Sequence, residues 1–117
     1  MKQILLLITL FPLSLLAQTI EQVEKELIRQ NVPHHKIVLA QARLETGNFK
    51  SKGCRIHHNL FGIKHGKKYA RYKTWQDSIK DYKERISSRY KGGNYLLFLK
   101  KIKYAKDPKY IHKIKQF

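Results

Sequence analysis

Residues Val38 to Lys64 read VLAQARLETGNFKSKGCRIHHNLFGIK. An apolar helix, one carboxylate, a glycine, a basic loop and the block Asn59-Leu60-Phe61-Gly62-Ile63-Lys64 follow in that order. Ile37, Val38, Leu39, Ala40, Ala42 and Leu44 make the least polar helix after the leader, predicted over about His34 to Thr46 with Gly47 as its C-terminal cap. Glu45 is the only acid in the fifty residues from Leu27 to Gln76, a span rich in Lys and Arg. It shares a helical face with Val38, Gln41 and Ala42. It also lies in the last turn, where the helix dipole is negative. Apolar neighbours and the dipole both disfavour the charged form and push the carboxyl pKa up; Arg43, Lys50 and Lys52 oppose this where they lie close. An acid kept protonated near neutrality can give its proton to a leaving oxygen. A lone carboxylate in a basic field is therefore a candidate site, set against the plainer alternative of a surface Glu at a helix end.

Thr19-x-x-Gln22 is a capping-box pattern. Ile20, Val23, Leu27 and Ile28 recur at helical spacing, so Ile20 to Gln30 is expected to be an amphipathic helix. Asn31 ends it, and Pro33 suits the first turn of the central helix. Asn48 to His58 reads as a polar, basic loop around Gly53. Leu60 to Lys64 and Lys68 to Tyr72 flank His65-Gly66-Lys67 and suit a short hairpin with Gly66 in the turn. Thr74-x-x-Asp77 is a second capping box, before a helix from Trp75 to about Arg89 that carries Ile79, Tyr82 and Ile86. Gly92-Gly93 breaks the chain. Tyr95 to Lys103 forms a further helix with Phe98, Leu99 and Ile102 available for the core. Asp107-Pro108 opens a short last helix, with Asp107 as N-cap and Pro108 at the first helical position. The fold class is mainly α: one helical domain with one small β-hairpin inserted after the central helix.

The chain has 117 residues. Met1-Lys2 is a basic start and Ile4 to Leu16 an apolar run, too short for an ordinary membrane span. Residues 1–17 read as a signal peptide ending at Ala17, and 18–117 as one domain; an uncleaved anchor is the alternative. Export to a secreted or periplasmic location follows from that reading. Cys54 is the only cysteine, so no internal disulfide can form, and it is either a buried small residue or a free thiol. The net charge of +17 points to polyanionic partners. Nucleic acid is the usual first thought, but the export signal argues against it and leaves anionic cell-envelope polymers. The plainer account is that the charge serves solubility alone.

Ala40-Gln41-Ala42-x-x-Glu45-Thr46-Gly47-x-x-Lys50-Ser51 resembles the A-Q-A-x-x-E-S/T-G-x-x-K/G-S motif of the bacterial glucosaminidase family, the glycoside hydrolases of autolysins and flagellar muramidase-like domains. Asn59-Leu60-Phe61-Gly62-Ile63-Lys64 is similar to the family's N-L-F-G-I/M-K signature. Tyr69 to Tyr82 is similar to its third, an aromatic-rich strand leading into a helix with S-x-x-D-Y. The resemblance spans roughly residues 20 to 115. It implies a lysozyme-like α+β fold and hydrolysis of the β-1,4 bond on the reducing side of N-acetylglucosamine in peptidoglycan. It implies Glu45 as general acid and Tyr72 near the reacting sugar. It also implies a substrate cleft lined by Asn59 and Phe61; Gln41, Gly62 and Lys64 of the same motifs are expected to bind substrate with them, and Tyr69, on the short hairpin, is a candidate for stacking on a sugar. No cofactor or metal is implied, and a monomer acting on peptidoglycan glycan strands is expected.

Two departures bear on the chemistry. Asn48-Phe49 only partly keeps the aromatic that the family carries at that point. Thr46 to Gln76 also contains no carboxylate, whereas some family members are credited with a second one in the β element. An inverting mechanism needs two carboxyls about 6.5–9.5 Å apart. Asp77 reads as a capping residue, and Asp81 would serve only if its helix approached the cleft. Assistance by the substrate's own 2-acetamido group, with Tyr72 positioning it, is therefore the expected mechanism. A non-catalytic wall-binding module on the same fold is the alternative. Cys54, His57, His58 and His65 do not have the spacing of a standard zinc site. Trp75, Tyr82, Phe98 and Tyr104 are expected in the core. The Lys runs at 67–68, 100–103 and 113–115 read as solvated faces that can also hold an anionic wall.

Overall fold

A computed structural model describes residues 18–117, and the leader assigned to 1–17 lies outside them. Helix α1 spans Ile20–Arg29. Its capping box is complete: Thr19 Oγ1 accepts from the Gln22 amide at 3.1 Å, and Gln22 Oε1 accepts from the Thr19 amide at 2.9 Å. Val23 and Leu27 point inward and are fully buried, worth about 1.5–3 kcal/mol each. The central helix α2 spans His35–Thr46 and buries Val38, Leu39, Ala40, Gln41, Ala42 and Thr46. Pro33 does not enter its first turn, contrary to expectation. His34 is the N-cap in a left-handed conformation (φ +51°), its ring stacked on Tyr95 at 5.2 Å and its Nε2 2.8 Å from the Tyr90 hydroxyl. Those tertiary contacts set the helix start after the proline.

Past α2 the chain turns through three consecutive left-handed residues, Gly47, Asn48 and Phe49. Thr46 holds this turn: its hydroxyl donates to Ala42 O at 2.6 Å and accepts from the Phe49 amide at 2.8 Å. Phe49 enters the core, 2% exposed. The expected loop at 48–58 contains a short helix, α3, at Lys52–His57. Ser51 Oγ caps it by accepting from the Cys54 amide, and Cys54 is its buried anchor.

The hairpin is smaller than its flanking apolar residues suggested. Strands β1 (Lys64–His65) and β2 (Lys68–Tyr69) pair antiparallel, Lys64 with Tyr69 and His65 with Lys68. Gly66 turns between them at φ +69°. Leu60–Gly62 and Tyr72 fall outside the ladder because a side chain does the ladder's work. Asn59 Nδ2 donates to Ile63 O (2.9 Å) and Ala70 O (3.1 Å), while its Oδ1 accepts from the amides of Phe61 (3.3 Å) and Ile63 (3.1 Å). Helix α4 spans Trp75–Arg85, capped by Thr74, and a 3-10 turn takes Ser87–Arg89. Helix α5 spans Tyr95–Lys101 with Asn94 as cap. The last helix, α6, is Tyr110–Ile114. Asp107 does not cap it: Asp107 closes a tight turn onto the Lys109 amide (2.9 Å), and helix geometry begins only at Tyr110. Helix α2 is the axis of the domain, packed by α1 on one side and α6 on another, with Ile79, Tyr82 and Leu99 closing the core.

Candidate active site

Glu45 stands in the last turn of α2, at a solvent-accessible rim. Enough protein still surrounds the carboxyl that desolvation pushes its pKa above the ordinary carboxylate range; hydrogen bonding to the Tyr110 hydroxyl pulls the other way. The acid is thus reachable and biased towards its protonated form. Gly62 adjoins it. A methyl group added at Gly62 would sit 3.4 Å from Glu45 Oε1 and 4.0 Å from the Tyr69 ring, and φ there is +62°. Glycine keeps this approach open and tolerates the left-handed backbone. Glu45, Gly62 and Tyr69 therefore share one crevice. Tyr69 is 62% exposed, with Lys64 Nζ over its ring at 4.9 Å from the centroid.

A buried polar ladder runs beneath. Gln41, fully buried, accepts from the Tyr82 hydroxyl (2.5 Å) and donates to the Tyr110 hydroxyl (3.3 Å); Tyr82 also meets the Tyr95 hydroxyl at 2.7 Å. Tyr104 reaches Phe61 O at 3.5 Å and stacks near Tyr110, centroids 5.6 Å apart. Burial, the charges of neighbouring tyrosines and the Glu45 charge together keep the Tyr104 hydroxyl protonated; for Tyr110, burial and then Glu45 do the same. These phenols are fixed neutral groups beside the carboxyl.

A second polar cluster is built on Tyr72. Its amide bonds His57 O (2.9 Å) and its hydroxyl donates to Asp81 Oδ2 at 2.5 Å. Asp81 also accepts from His65 Nε2 (2.9 Å) and Arg85 Nε (2.7 Å). Burial works against the Asp81 charge, but the bonds from Tyr72, His65 and Arg85 outweigh it and hold the carboxyl below its usual range. Burial and the Asp81 carboxylate in turn push the Tyr72 pKa up. Tyr72 and Glu45 both add, after burial and Tyr110, to the effects that keep the Tyr104 hydroxyl protonated.

The residues singled out in sequence separate into two groups. Glu45, Gly62 and Tyr69 come together, with Lys64 at the rim, while Tyr72 is placed by Asp81, His65 and the His57 carbonyl. Gln41, Asn59 and Phe61 do not line the surface. Gln41 is spent on the tyrosine ladder and Asn59 on the loop backbone. Phe61, 2% exposed, packs on Tyr82 at 4.4 Å. They are the crevice's supports rather than its lining, because their polar capacity and apolar area are used within the fold. Sequence reasoning passed over Tyr110 and set Asp81 aside. The S-x-x-D-Y run held a signal for Asp81, since Tyr72 lies nine residues before it; nothing local marked Tyr110. Cys54 is buried, its thiol pKa raised by burial, and its Sγ accepts from Gln18 at 2.9 Å. Among the described residues no three His, Cys, Asp or Glu side chains converge as a ligand set.

Comparison with known proteins identifies the family and the fold. Residues 20–117 match the glucosaminidase family, described as mannosyl-glycoprotein endo-beta-N-acetylglucosaminidase. The fold is similar to the crystal structure of the catalytic domain of the autolysin Auto from Listeria monocytogenes. The TM-score is 0.64 with 22% sequence identity, over 90% of this chain and 87% of that one. No curated protein matches significantly in sequence. With the family matched over nearly all of the described chain, and a mainly helical, lysozyme-like domain with one small hairpin carrying its motifs, this chain belongs to the glucosaminidase family of glycoside hydrolases.

Proposed function

We propose that this protein is an exported peptidoglycan hydrolase that cuts the β-1,4 bond on the reducing side of N-acetylglucosamine. Glu45 is the general acid and Tyr72 the partner of the substrate's 2-acetamido group. The observation that carries this reading is the crevice at Gly62, where an accessible carboxyl is held towards its protonated form beside neutral phenols. Glu45 gives its proton to the leaving glycosidic oxygen as the acetamido oxygen closes onto C1. The Glu45 carboxylate then takes a proton from the water that attacks C1, which reopens the ring with retention and restores the acid. Because the Tyr72 hydroxyl donates to Asp81, its oxygen is left to accept from the acetamido N–H. Asp81, satisfied by three donors and weakened as a base, is a poor activator of water, which favours the substrate-assisted route over inversion. Tyr69 offers its exposed face to a sugar ring. The partners under this reading are glycan strands and anionic envelope polymers, met by a monomer.

The absence of an acid from the hairpin keeps one second reading, a wall-binding module with Glu45 idle. Incubating the purified protein with peptidoglycan, beside Glu45→Gln, separates the two by mass spectrometry of the new chain ends. New reducing-end N-acetylglucosamine with the wild type and none with the variant supports the enzyme. Wall binding without cleavage by either supports the module. Full cleavage of a strand lacking the acetamido group would refute the substrate-assisted step.

A further inference from the structure

Between Arg85 and Phe117 the chain carries ten Lys and Arg and one acid, Asp107. Asp107 is already paired with Lys113 at 2.6 Å. Helix α5 stands in the middle of this region. It buries Tyr95 and Leu99 and turns Leu97 outward, 62% exposed. A groove flanks it on each side. One, of about 580 Å³, is lined by the cations Arg89, Lys91 and Lys101. The other, of about 420 Å³, is lined by Lys100, Lys103, Lys106 and Lys115. All seven are exposed, and among the described residues none bonds a carboxylate. Leu97 lines both grooves, so they meet across α5 as one surface. Tyr110 lines the second groove and its hydroxyl accepts from Gln41, one turn before Glu45 on α2, at 3.3 Å, so that surface reaches the end of α2 that carries the acid.

We propose that this surface holds a phosphodiester polymer of the cell envelope, a polyol-phosphate chain laid across α5 towards Glu45. The choice of an envelope polymer rests on the function proposed above; the surface itself does not. Six of the seven cations are lysines, compact point charges that hold phosphates without the planar bidentate geometry an arginine site imposes, which suits a flexible chain of phosphodiesters. The exposed apolar side chain between the charges is the aliphatic Leu97; the aromatic residues that line the grooves are committed to the core, Phe98 half-buried on Tyr90 and Tyr95, and Tyr110 buried, so no open ring face offers the stacking platform by which single-stranded nucleic acids are held. Unpaired cations at the edges of a groove attract a polyanion and release its counterions, so binding weakens as salt rises.

The test is binding of the purified protein to a glycerol-phosphate polymer, by calorimetry between about 50 and about 200 mM salt. The variant K101Q/K103Q/K106Q is compared with K25Q/K36Q/K80Q, which removes equal charge from α1, α2 and α4. At roughly 0.7 per contact, three lost contacts lower the salt slope by about 2. Affinity is expected to fall at least about tenfold in the first variant and less than about twofold in the second. Hydrolysis of peptidoglycan stripped of attached polymers stays at the wild-type level in both, so this proposal and the enzymatic one fail separately. Equal losses in the two variants, or no binding by the wild type, would overturn the surface assignment. Tighter binding to phosphatidylglycerol vesicles, lost in Leu97→Ser, would overturn it in favour of a membrane.

Discussion

Replacing Gly62 by Ala separates backbone strain from crowding of the acid, because Gly66 provides a matched control. Both glycines are left-handed, φ +62° and +69°, so an alanine at either costs about 1–2 kcal/mol. For a domain of this size that lowers the thermal midpoint by roughly 4–16 °C. Only at 62 does the new methyl meet the site, 3.4 Å from Glu45 Oε1; at 66 it meets open space. That is the near limit of ordinary contact, so the methyl takes up the room beside the carboxyl in which a sugar must be placed. Misplacement of a catalytic group by 1 Å costs about 10²-fold, so Gly62→Ala is expected to lose roughly tenfold in kcat/KM. Gly66→Ala is expected to stay within about twofold. The assay is release of soluble fragments from peptidoglycan at several substrate concentrations, beside thermal unfolding of each variant. Equal activity in the two variants, with equal loss of stability, would refute the placement of Glu45 against Gly62.

Two further perturbations test the electrostatics. Glu45 has a raised folded-state pKa, so its protonated form is the one the fold favours. The stability this represents is present below the unfolded pKa and is lost as pH rises through the raised folded value. Glu45→Gln should therefore leave the acid-side thermal midpoint unchanged and raise it on the neutral side; a lower midpoint at neutral pH would contradict the desolvated placement. Asp81 has the opposite sign: its depressed pKa contributes stability above the unfolded pKa, lost as pH falls through the folded one. Asp81→Asn should flatten that acid-side loss. It should also lower kcat by about 10–100-fold with little change in KM, because Tyr72 loses a charged anchor but no sugar contact. A change confined to KM would place Asp81 on the substrate instead.

Much of this architecture was legible residue by residue. Thr19 and Thr74 announced two helix starts through local side-chain bonds. The apolar run from Ile37 to Leu44 identified the central helix, and Gly66 the hairpin turn. These signals act within a few residues and need no partner from elsewhere in the chain. The missed helix α3 also had a local signal, Ser51 three residues before Cys54, hidden by the basic residues around it.

Sequence alone determined that Glu45 is an isolated acid at the end of the most apolar helix, inside motifs of a glycoside hydrolase family. Only the tertiary structure decided which motif residues face the crevice. Periodicity tells which side chains share a face, not which element covers that face. Gln41 shares a face with Glu45, yet α6 arrives from 69 residues away and seals Gln41 beneath Tyr110. Asn59 could be spent on backbone only once the hairpin had brought Ala70 against it. The raised pKa of Glu45 and the depressed pKa of Asp81 likewise depend on packing: desolvation by packed neighbours for one, and for the other the Tyr72 and His65 donors that the fold brings up beside its own helix partner Arg85.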